Sequence, residues 1–334
     1  MSATDPRLDN ALGAWWGLAV GDALGMPTQS MSRSAVAEDH GVVDRLLAPG
    51  PHQQIARGLP AGSVTDDTEQ ALLLARVLLD GDGRVDPRAL ADALVAWERD
   101  VAARGSLDLL GPSTKRAVEA VLAGVDPSEA GRHGATNGAA MRVLPVGVAV
   151  PVEPLDAFVD AVAESCQVSH ATTIGVASAA AVGAAVSAGV DGASLGEAVG
   201  LAIAAAEAGA GRGAWVAGAD VASRLAWAVP HLRRLPVADV PDAVERLVGT
   251  SLAAQESVVA AIALVATYAE PWTAMTTAAS LGGDTDTIAA IAGAVGGAVH
   301  GLACLPDDVV RTVADVNDLD LEPVAVELLR LRDR

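Results

Sequence analysis

The sequence predicts an all-α protein, built as a compact multi-helix bundle. Only 2% of its residues are aromatic although 51% are hydrophobic, and alanine and glycine supply much of the apolar set. Strands draw on aromatic and β-branched side chains, whereas small residues let helices pack closely. Apolar positions recur at helical spacing, and no alternating pattern persists. A chain of 334 residues is long enough to bury a large core without disulfides.

The helical pattern recurs between short Gly, Pro and Asp segments from one end of the chain to the other. The segment 146–152 is the one place with strand-like composition, and 30–62 is the one long irregular stretch, a kind of loop that is often functional. With no linker and no repeat, we expect one domain over residues 1–334. The predicted helices are 12–23, 67–79, 87–103, 113–123, 155–165, 172–188, 195–208, 251–268, 285–299 and 322–331.

Composition also limits the partners. The formal charge is −20, from 22 basic and 42 acidic residues, which argues against binding to nucleic acid or to an anionic membrane surface. Cys166 and Cys304 lie in apolar settings, and we expect two buried, reduced thiols. The first ten residues do not resemble a signal peptide. We expect a cytoplasmic monomer.

Two short acidic segments each begin an apolar helix. One is Thr65-Asp66-Asp67-Thr68 and the other is Asp284-Thr285-Asp286-Thr287. Such residues also make strong helix N-caps, but one cap needs only one or two of them. Four carboxylates brought together would repel each other unless a cation lay between them. The doubled pattern therefore favours a metal site over two caps.

The donors in these segments are all oxygens, with no His or Cys. This set suits Mg²⁺, or Mn²⁺, better than Zn²⁺. The carboxylates suffice for two ions that share an aspartate, roughly 3.5–4 Å apart as in other two-metal sites. Gly282 and Gly283 allow a sharp turn and a close approach by a ligand, so Gly283 is a candidate substrate-binding residue. Both segments must meet in the fold to make one site.

Four blocks in order resemble the ADP-ribosylglycohydrolase family. They are GLAVGDALG at 17–25, TDDT at 65–68, TNGAAMR at 136–142 and GGDTDTIAA at 282–290. The last block is highly specific, whereas the first alone would be weak. The resemblance implies a fold of a dozen or more helices around two Mg²⁺ ions, and hydrolysis of the bond between ADP-ribose C1″ and an acceptor nitrogen or oxygen.

The resemblance also implies roles for individual residues. Thr65, Asp66 and Asp67 would bind one ion, Asp284 and Thr287 the other, and Asp286 would bridge them. The ions would hold the ribose hydroxyls and orient a water, with Asp66 or Asp67 as base and an oxocarbenium-like transition state. Asn137, Gly138 and Ala139 would offer backbone N–H groups to the diphosphate, although an ordinary Asn-Gly turn would look the same.

Several positions carry two interpretations. His170 matches a family histidine near the cleft, but a lone histidine is often only a satisfied cap. Asp22 fits a supporting role at a helix end better than a ligand. Trp15 and Trp16 are candidates for adenine stacking or simply core. Asp108 lies near where nitrogenase-type relatives place a catalytic carboxylate, or is a plain loop acid.

Gln29 stands at or near a position where the family often has a glutamate. Glutamine cannot act as a base at neutral pH. Either Asp66 or Asp67 is therefore the base and Gln29 positions the substrate, or the site acts on another substrate or only binds its ligand. Three functions follow: hydrolysis of ADP-ribosylated protein or a related ADP-ribosyl compound, hydrolysis of a small N- or O-ribosyl metabolite, or ADP-ribose binding without catalysis.

Overall fold

The computed structural model describes residues 5–105 and 110–334. Within these residues the regular structure is helical, with isolated β-bridges but no strand, which confirms the all-α prediction. The α-helices are α1 Pro6–Gly25, α2 Arg33–His40, α3 Asp66–Asp80, α4 Pro87–Ala103, α5 Pro112–Leu122, α6 Pro127–Ala130, α7 Gly138–Arg142, α8 Leu144–Ala149, α9 Leu155–Cys166, α10 Thr173–Val190, α11 Leu195–Ala210, α12 Val221–Leu232, α13 Val240–Ala243, α14 Ala254–Thr267, α15 Pro271–Ala279, α16 Thr285–His300, α17 Asp307–Asn317 and α18 Glu322–Arg332.

Each of the ten predicted helices is present. The strand-like interpretation of 146–152 is wrong, because most of that segment lies in α8. Pro145 suits the first turn of this helix, and Gly147 packs so closely that an added Cβ would lie 2.7 Å from the Gly183 carbonyl oxygen. The irregular stretch 30–62 also contains a helix, α2.

Helices α1 and α16 pack closely against each other. Glycines recur every fourth residue along α1, at 13, 17, 21 and 25, and they face α16. A Cβ added at Gly17 would lie 2.0 Å from the carbonyl oxygen of Gly293. At the end of this contact, Gly25 lies against the backbone of Asp286. The glycine row therefore brings the start of α16 beside the end of α1.

Helix α10 packs against α7, α8, α9, α11, α14 and α16. By length and composition it is the one described helix that could cross a membrane, yet 94% of its span is buried inside the protein. Cys166 is buried at the end of α9, as predicted. Cys304 is only half-buried, so that part of the prediction is wrong; both thiols are free, and burial raises the pKa of Cys166 to about 12.

Candidate active site

Asp22 of α1 organises the start of α3. Its fully buried carboxylate accepts hydrogen bonds from the backbone N–H groups of Thr65 and Thr68 and from both threonine hydroxyls. Burial raises the pKa of Asp22 to about 6, while these hydrogen bonds oppose the rise. The side chain thus caps a neighbouring helix, as the sequence suggested, and holds Thr65 and Asp66 in place.

A tight turn presents the second acidic segment. Gly282 and Gly283 both have positive φ, 76° and 81°, which glycine adopts at little cost. Gly283 donates its N–H to Met31 and accepts from the N–H of Ser30. A Cβ at Gly283 would lie 2.2 Å from the Thr250 oxygen. Both backbone groups of Gly283 therefore form hydrogen bonds within the protein. They fix the direction of α16 and are not free for the substrate binding that the sequence predicts for Gly283.

The two acidic segments meet at a cleft of about 220 Å³. Asp66 approaches it from α3, and Asp284 and Asp286 approach it from the start of α16. Seven residues predicted for the site line this cleft: Gln29, Asp66, Asn137, Gly138, Asp284, Asp286 and Thr287. The structure therefore joins residues from the first, middle and last parts of the chain in one site.

Asp67 lies behind the cleft and is fully buried. Its pKa is raised well above the usual value, first by burial and then by repulsion from Asp66, Asp286, Asp22 and Asp284. The hydroxyl of Thr287 donates to Oδ2 of Asp67 at 3.3 Å, but Oδ1 has no hydrogen-bond partner among the described residues. A buried carboxylate oxygen in that state favours a nearby cation.

Two amide side chains, Gln70 and Asn137, each donate a hydrogen bond to one carboxylate oxygen of the site. Nε2 of Gln70 donates to Oδ2 of Asp66 at 3.0 Å, one helical turn away on α3. Nδ2 of Asn137 donates to Oδ2 of Asp284 and to the hydroxyl of Ser257. Burial raises the pKa of Asp284 to about 6, although the hydrogen bonds from Asn137 and Thr287 oppose the shift.

Gln29 lies in the cleft with its amide available. The residue is 5% exposed, and its Nε2 has no hydrogen-bond acceptor among the described residues. Its backbone oxygen accepts from Nε2 of Gln53 at 3.0 Å, and Oε1 of Gln53 accepts from the N–H of Ile55. Gln53 thereby ties the irregular stretch to the cleft, so that Ile55 forms part of its wall.

Other predicted residues lie outside the cleft. Thr65 is beside it, bonded to Asp22, while Ala139 and His170 are buried behind it. Trp15 and Trp16 belong to the core of α1, at 0% and 9% exposure, so the adenine-stacking interpretation is wrong. Asp108 lies outside the described residues.

The donor set can be tested against the expected metal. No three His, Cys, Asp or Glu side chains within residues 5–105 and 110–334 are already gathered closely enough to hold an ion. The predicted set, however, mixes carboxylates with the hydroxyls of Thr65 and Thr287, and it includes the unpartnered Oδ1 of buried Asp67. All-oxygen donors and unrelieved negative charge fit a hard divalent cation.

Comparisons with known proteins place this chain in a family. The model of the family described as ADP-ribosylglycohydrolase matches residues 3–334. The chain belongs to the ADP-ribosylglycohydrolase family. Membership makes it a hydrolase of the glycosidase type and confirms the resemblance of the four sequence blocks.

Individual relatives agree. The chain is 34% identical over 331 residues to the uncharacterized protein YegU of Escherichia coli (strain K12), covering 98% of each chain. It is 32% identical over 149 residues to the ADP-ribosyl-[dinitrogen reductase] glycohydrolase of Rhodospirillum rubrum, covering 44% of this chain and 47% of that protein. An ADP-ribosylglycohydrolase-related protein complex contains a similar structure, with TM-score 0.69, 29% identity and 97% and 98% coverage.

Sequence reasoning missed the roles of Gln70 and Ser169, and it left open for Arg142 a structural pairing with an acid or a contact with the ligand; the structure instead bonds Arg142 to those two neutral side chains. Gln70, Arg142 and Ser169 form a chain of hydrogen bonds that ends at Asp66. Gln70 could have been found, since it lies four residues after Asp66 on the same helix. Thr136, which lines the cleft, stands in the third sequence block but was not singled out.

Proposed function

We propose that this protein is a Mg²⁺-dependent hydrolase that cleaves the C1″ glycosidic bond of ADP-ribosylated protein or a related ADP-ribosyl compound. The observation that carries the proposal is the meeting of two acidic segments at one cleft, with buried Asp67 behind them. Family membership supports the reaction class. The acceptor of the Rhodospirillum rubrum relative is a protein, which supports a protein substrate here as well.

The proposed ligands are shared between the two segments. The residues that would hold Mg²⁺ are Thr65, Asp66, Asp67, Asp284, Asp286 and Thr287. When bound, such ions supply Lewis-acid polarisation and orient hydroxyls and water. Manganese would suit the same oxygens. Removal of the ions is expected to leave the carboxylates repelling each other, an effect that adds to burial in raising the pKa of Asp67.

Asp66 is the best-placed base. It is half-buried and lines the cleft, whereas Asp67 is sealed behind it. Gln70 occupies one carboxylate oxygen of Asp66, which limits the side chain to one orientation. A positioned general base contributes ~10²–10⁴-fold. The remaining acids place negative charge near the sugar, where an oxocarbenium-like transition state develops positive charge.

The other side of the cleft suits the rest of the ligand. Asn137 and Gly138 line it beside Asp284, and the unpartnered amide of Gln29 can donate to a substrate oxygen or to water. Gln29 therefore acts in positioning in this proposal, and Asp66 acts as base. These roles account for catalysis without the glutamate that the family often carries.

The size of the cleft favours a second candidate. Its volume of about 220 Å³ is below the ~300–1,000 Å³ typical of small-molecule sites. This part of the site alone is sufficient for a ribosyl group, whereas the adenosine diphosphate would need the adjoining pocket of about 340 Å³, which shares Ile55 and Asp66 with it. Hydrolysis of a small N- or O-ribosyl metabolite is the alternative that this observation supports.

Product release from a panel of α-linked ADP-ribosyl and simple ribosyl substrates, followed by mass spectrometry with Mg²⁺ and with chelator, tests both candidates. Metal-dependent release of ADP-ribose is the expected result, and Asp66→Asn should lower it ~10²–10⁴-fold. Release of ribose from simple ribosides alone would favour the metabolite hydrolase. Turnover that ignores the chelator would contradict the metal site. Binding of ADP-ribose without any turnover would instead indicate a non-catalytic binder.

A further inference from the structure

Arg142 is a buried cation held by neutral groups. It ends α7, and its side chain is fully buried. Nη1 donates to Oε1 of Gln70 at 3.0 Å, and Nη2 donates to the hydroxyl oxygen of Ser169 at 2.5 Å. Burial lowers the pKa of Arg142 to about 10, so the guanidinium stays charged at neutral pH. Burying a charge with no acid hydrogen-bonded to it is costly, and the attraction of nearby Asp66 offsets only part of the effect of burial.

The guanidinium sets the direction of the hydrogen bonds that begin at it, because it can only donate. Ser169 accepts from Arg142, and the described acceptor within reach of its own proton is Nδ1 of His170, at 2.8 Å. Burial, followed by the positive charge of Arg142, lowers the pKa of His170 well below its usual value, so the ring is neutral. Its single proton is then on Nε2, which donates to Oγ1 of Thr136 at 2.9 Å.

Thr136 is the end of this chain of hydrogen bonds and lines the cleft. Its oxygen accepts from His170, and its own proton has no acceptor among the described residues. The hydroxyl is therefore left as a hydrogen-bond donor on a residue that lines the cleft. Asn137 and Gly138, the next two residues, line the same cleft.

We propose that Thr136 binds the substrate by donating its hydroxyl proton to a negatively charged oxygen of the ADP-ribosyl group, and that Arg142 holds it in that direction through Ser169 and His170. The diphosphate is the part of such a ligand whose oxygens are charged acceptors. This inference rests on the proposed function, since the ligand is the ADP-ribosyl group. It assigns His170 a positioning role behind the cleft.

The guanidinium of Arg142 also orients a second chain of hydrogen bonds, so that two separate arms of hydrogen bonds start from it. Gln70 must turn its carbonyl toward Arg142, which leaves its NH₂ group for Asp66. One arm therefore runs through Ser169 to Thr136, and the other runs through Gln70 to Asp66. Substitutions in the two arms are expected to affect different ligands, which a general loss of packing would not do.

The test is a pair of variants, Ser169→Ala and Gln70→Met, studied by titration calorimetry with ADP-ribose at saturating Mg²⁺ and, separately, with Mn²⁺ alone. Ser169→Ala should weaken ADP-ribose binding about 10-fold and leave Mn²⁺ affinity unchanged, and Gln70→Met should do the reverse. Thr136→Val should match Ser169→Ala, while Thr136→Ser should bind as the native protein does.

Ser178→Ala is the matched control, because Ser178 is a buried serine of α10 whose hydroxyl has no hydrogen-bond partner among the described residues. It should leave both affinities unchanged. Native-like ADP-ribose binding by Thr136→Val, or an equal loss of both affinities in Ser169→Ala with a lower melting temperature, would overturn this proposal alone. A native protein that binds Mn²⁺ but no ADP-ribose would overturn the proposed function, and this inference with it.

Discussion

Gln29 combines two properties that a catalytic base does not have. Its amide is not ionised at neutral pH, and its Nε2 is buried in the cleft without an acceptor among the described residues. Its backbone is held by Gln53, so the side chain starts from a fixed point. A group of this kind is suited to hold a substrate oxygen or a water while Asp66, in the same cleft, takes the proton.

Replacement of Gln29 by Glu tests this division of roles. We expect no gain in kcat and a higher KM, because the variant loses a donor and adds a negative charge to an acidic cleft. Steady-state kinetics with the best substrate of the panel would measure both. Gln29→Met is the control, since it removes the donor without adding charge and should raise KM alone. A gain of about 10-fold or more in kcat for Gln29→Glu would show instead that the native site lacks its base.

The sequence could identify those residues whose functional pattern lies within a few consecutive positions. Asp66, Asp284 and Asp286 belong to short acidic segments, and a doubled segment of this type already indicates a metal. Their ligand roles stay predictions. Arg142 could not be assigned in this way, because its partners Gln70 and Ser169 lie 72 and 27 residues away, and only folding brings them together.

At the scale of elements, the contact between α1 and α16 positions both acidic segments. Gly17→Ala should destabilise the protein by ~1–3 kcal/mol or more, because the added methyl would lie 2.0 Å from the Gly293 oxygen. This loss should occur although alanine is the better helix former. Urea unfolding in the presence of chelator would measure it.

Gly200→Ala is the matched control on α11. An added Cβ there meets nothing within 4 Å, so the variant should gain ~0.5–1 kcal/mol from helix propensity alone. Equal effects of the two substitutions would contradict close packing of α1 on α16. A selective loss in Gly17→Ala would also be expected to lower activity, since α1 carries Asp22.

The helices that sequence missed lack the usual signals. Only Val36 of α2 is buried, so this helix has no apolar stripe to detect. Helix α12 contains Pro230, which normally marks a helix end. In α8, a run of valines favours strand by composition, and burial against α10 decides otherwise. These signals explain why α2, α8 and α12 were missed, but not α17, whose valines at 309, 310, 313 and 316 recur at helical spacing.

For the whole molecule, the charge of −20 and the buried acids lead to a prediction about pH. Burial raises the pKa of Asp22 and of Asp284 from 3.8 to about 6. Between pH 3.8 and about pH 6 the folded protein therefore binds more protons than the unfolded chain. The free energy of unfolding of the metal-free protein should therefore fall as the pH rises through this range.

Divalent cations should reverse this trend. Mg²⁺ binds ionised carboxylates, so the stabilisation that it provides should be largest above about pH 6 and should fade toward about pH 5. Urea midpoints measured with chelator and with Mg²⁺ across this range would show two curves that diverge as the pH rises. Added salt at about 0.5 M separates the causes, because it screens repulsion between surface charges but not between buried acids. If salt abolished the pH dependence, the general negative charge of the surface would explain it. If the dependence persisted in salt and disappeared with Mg²⁺, the buried acids at the cleft would be its source.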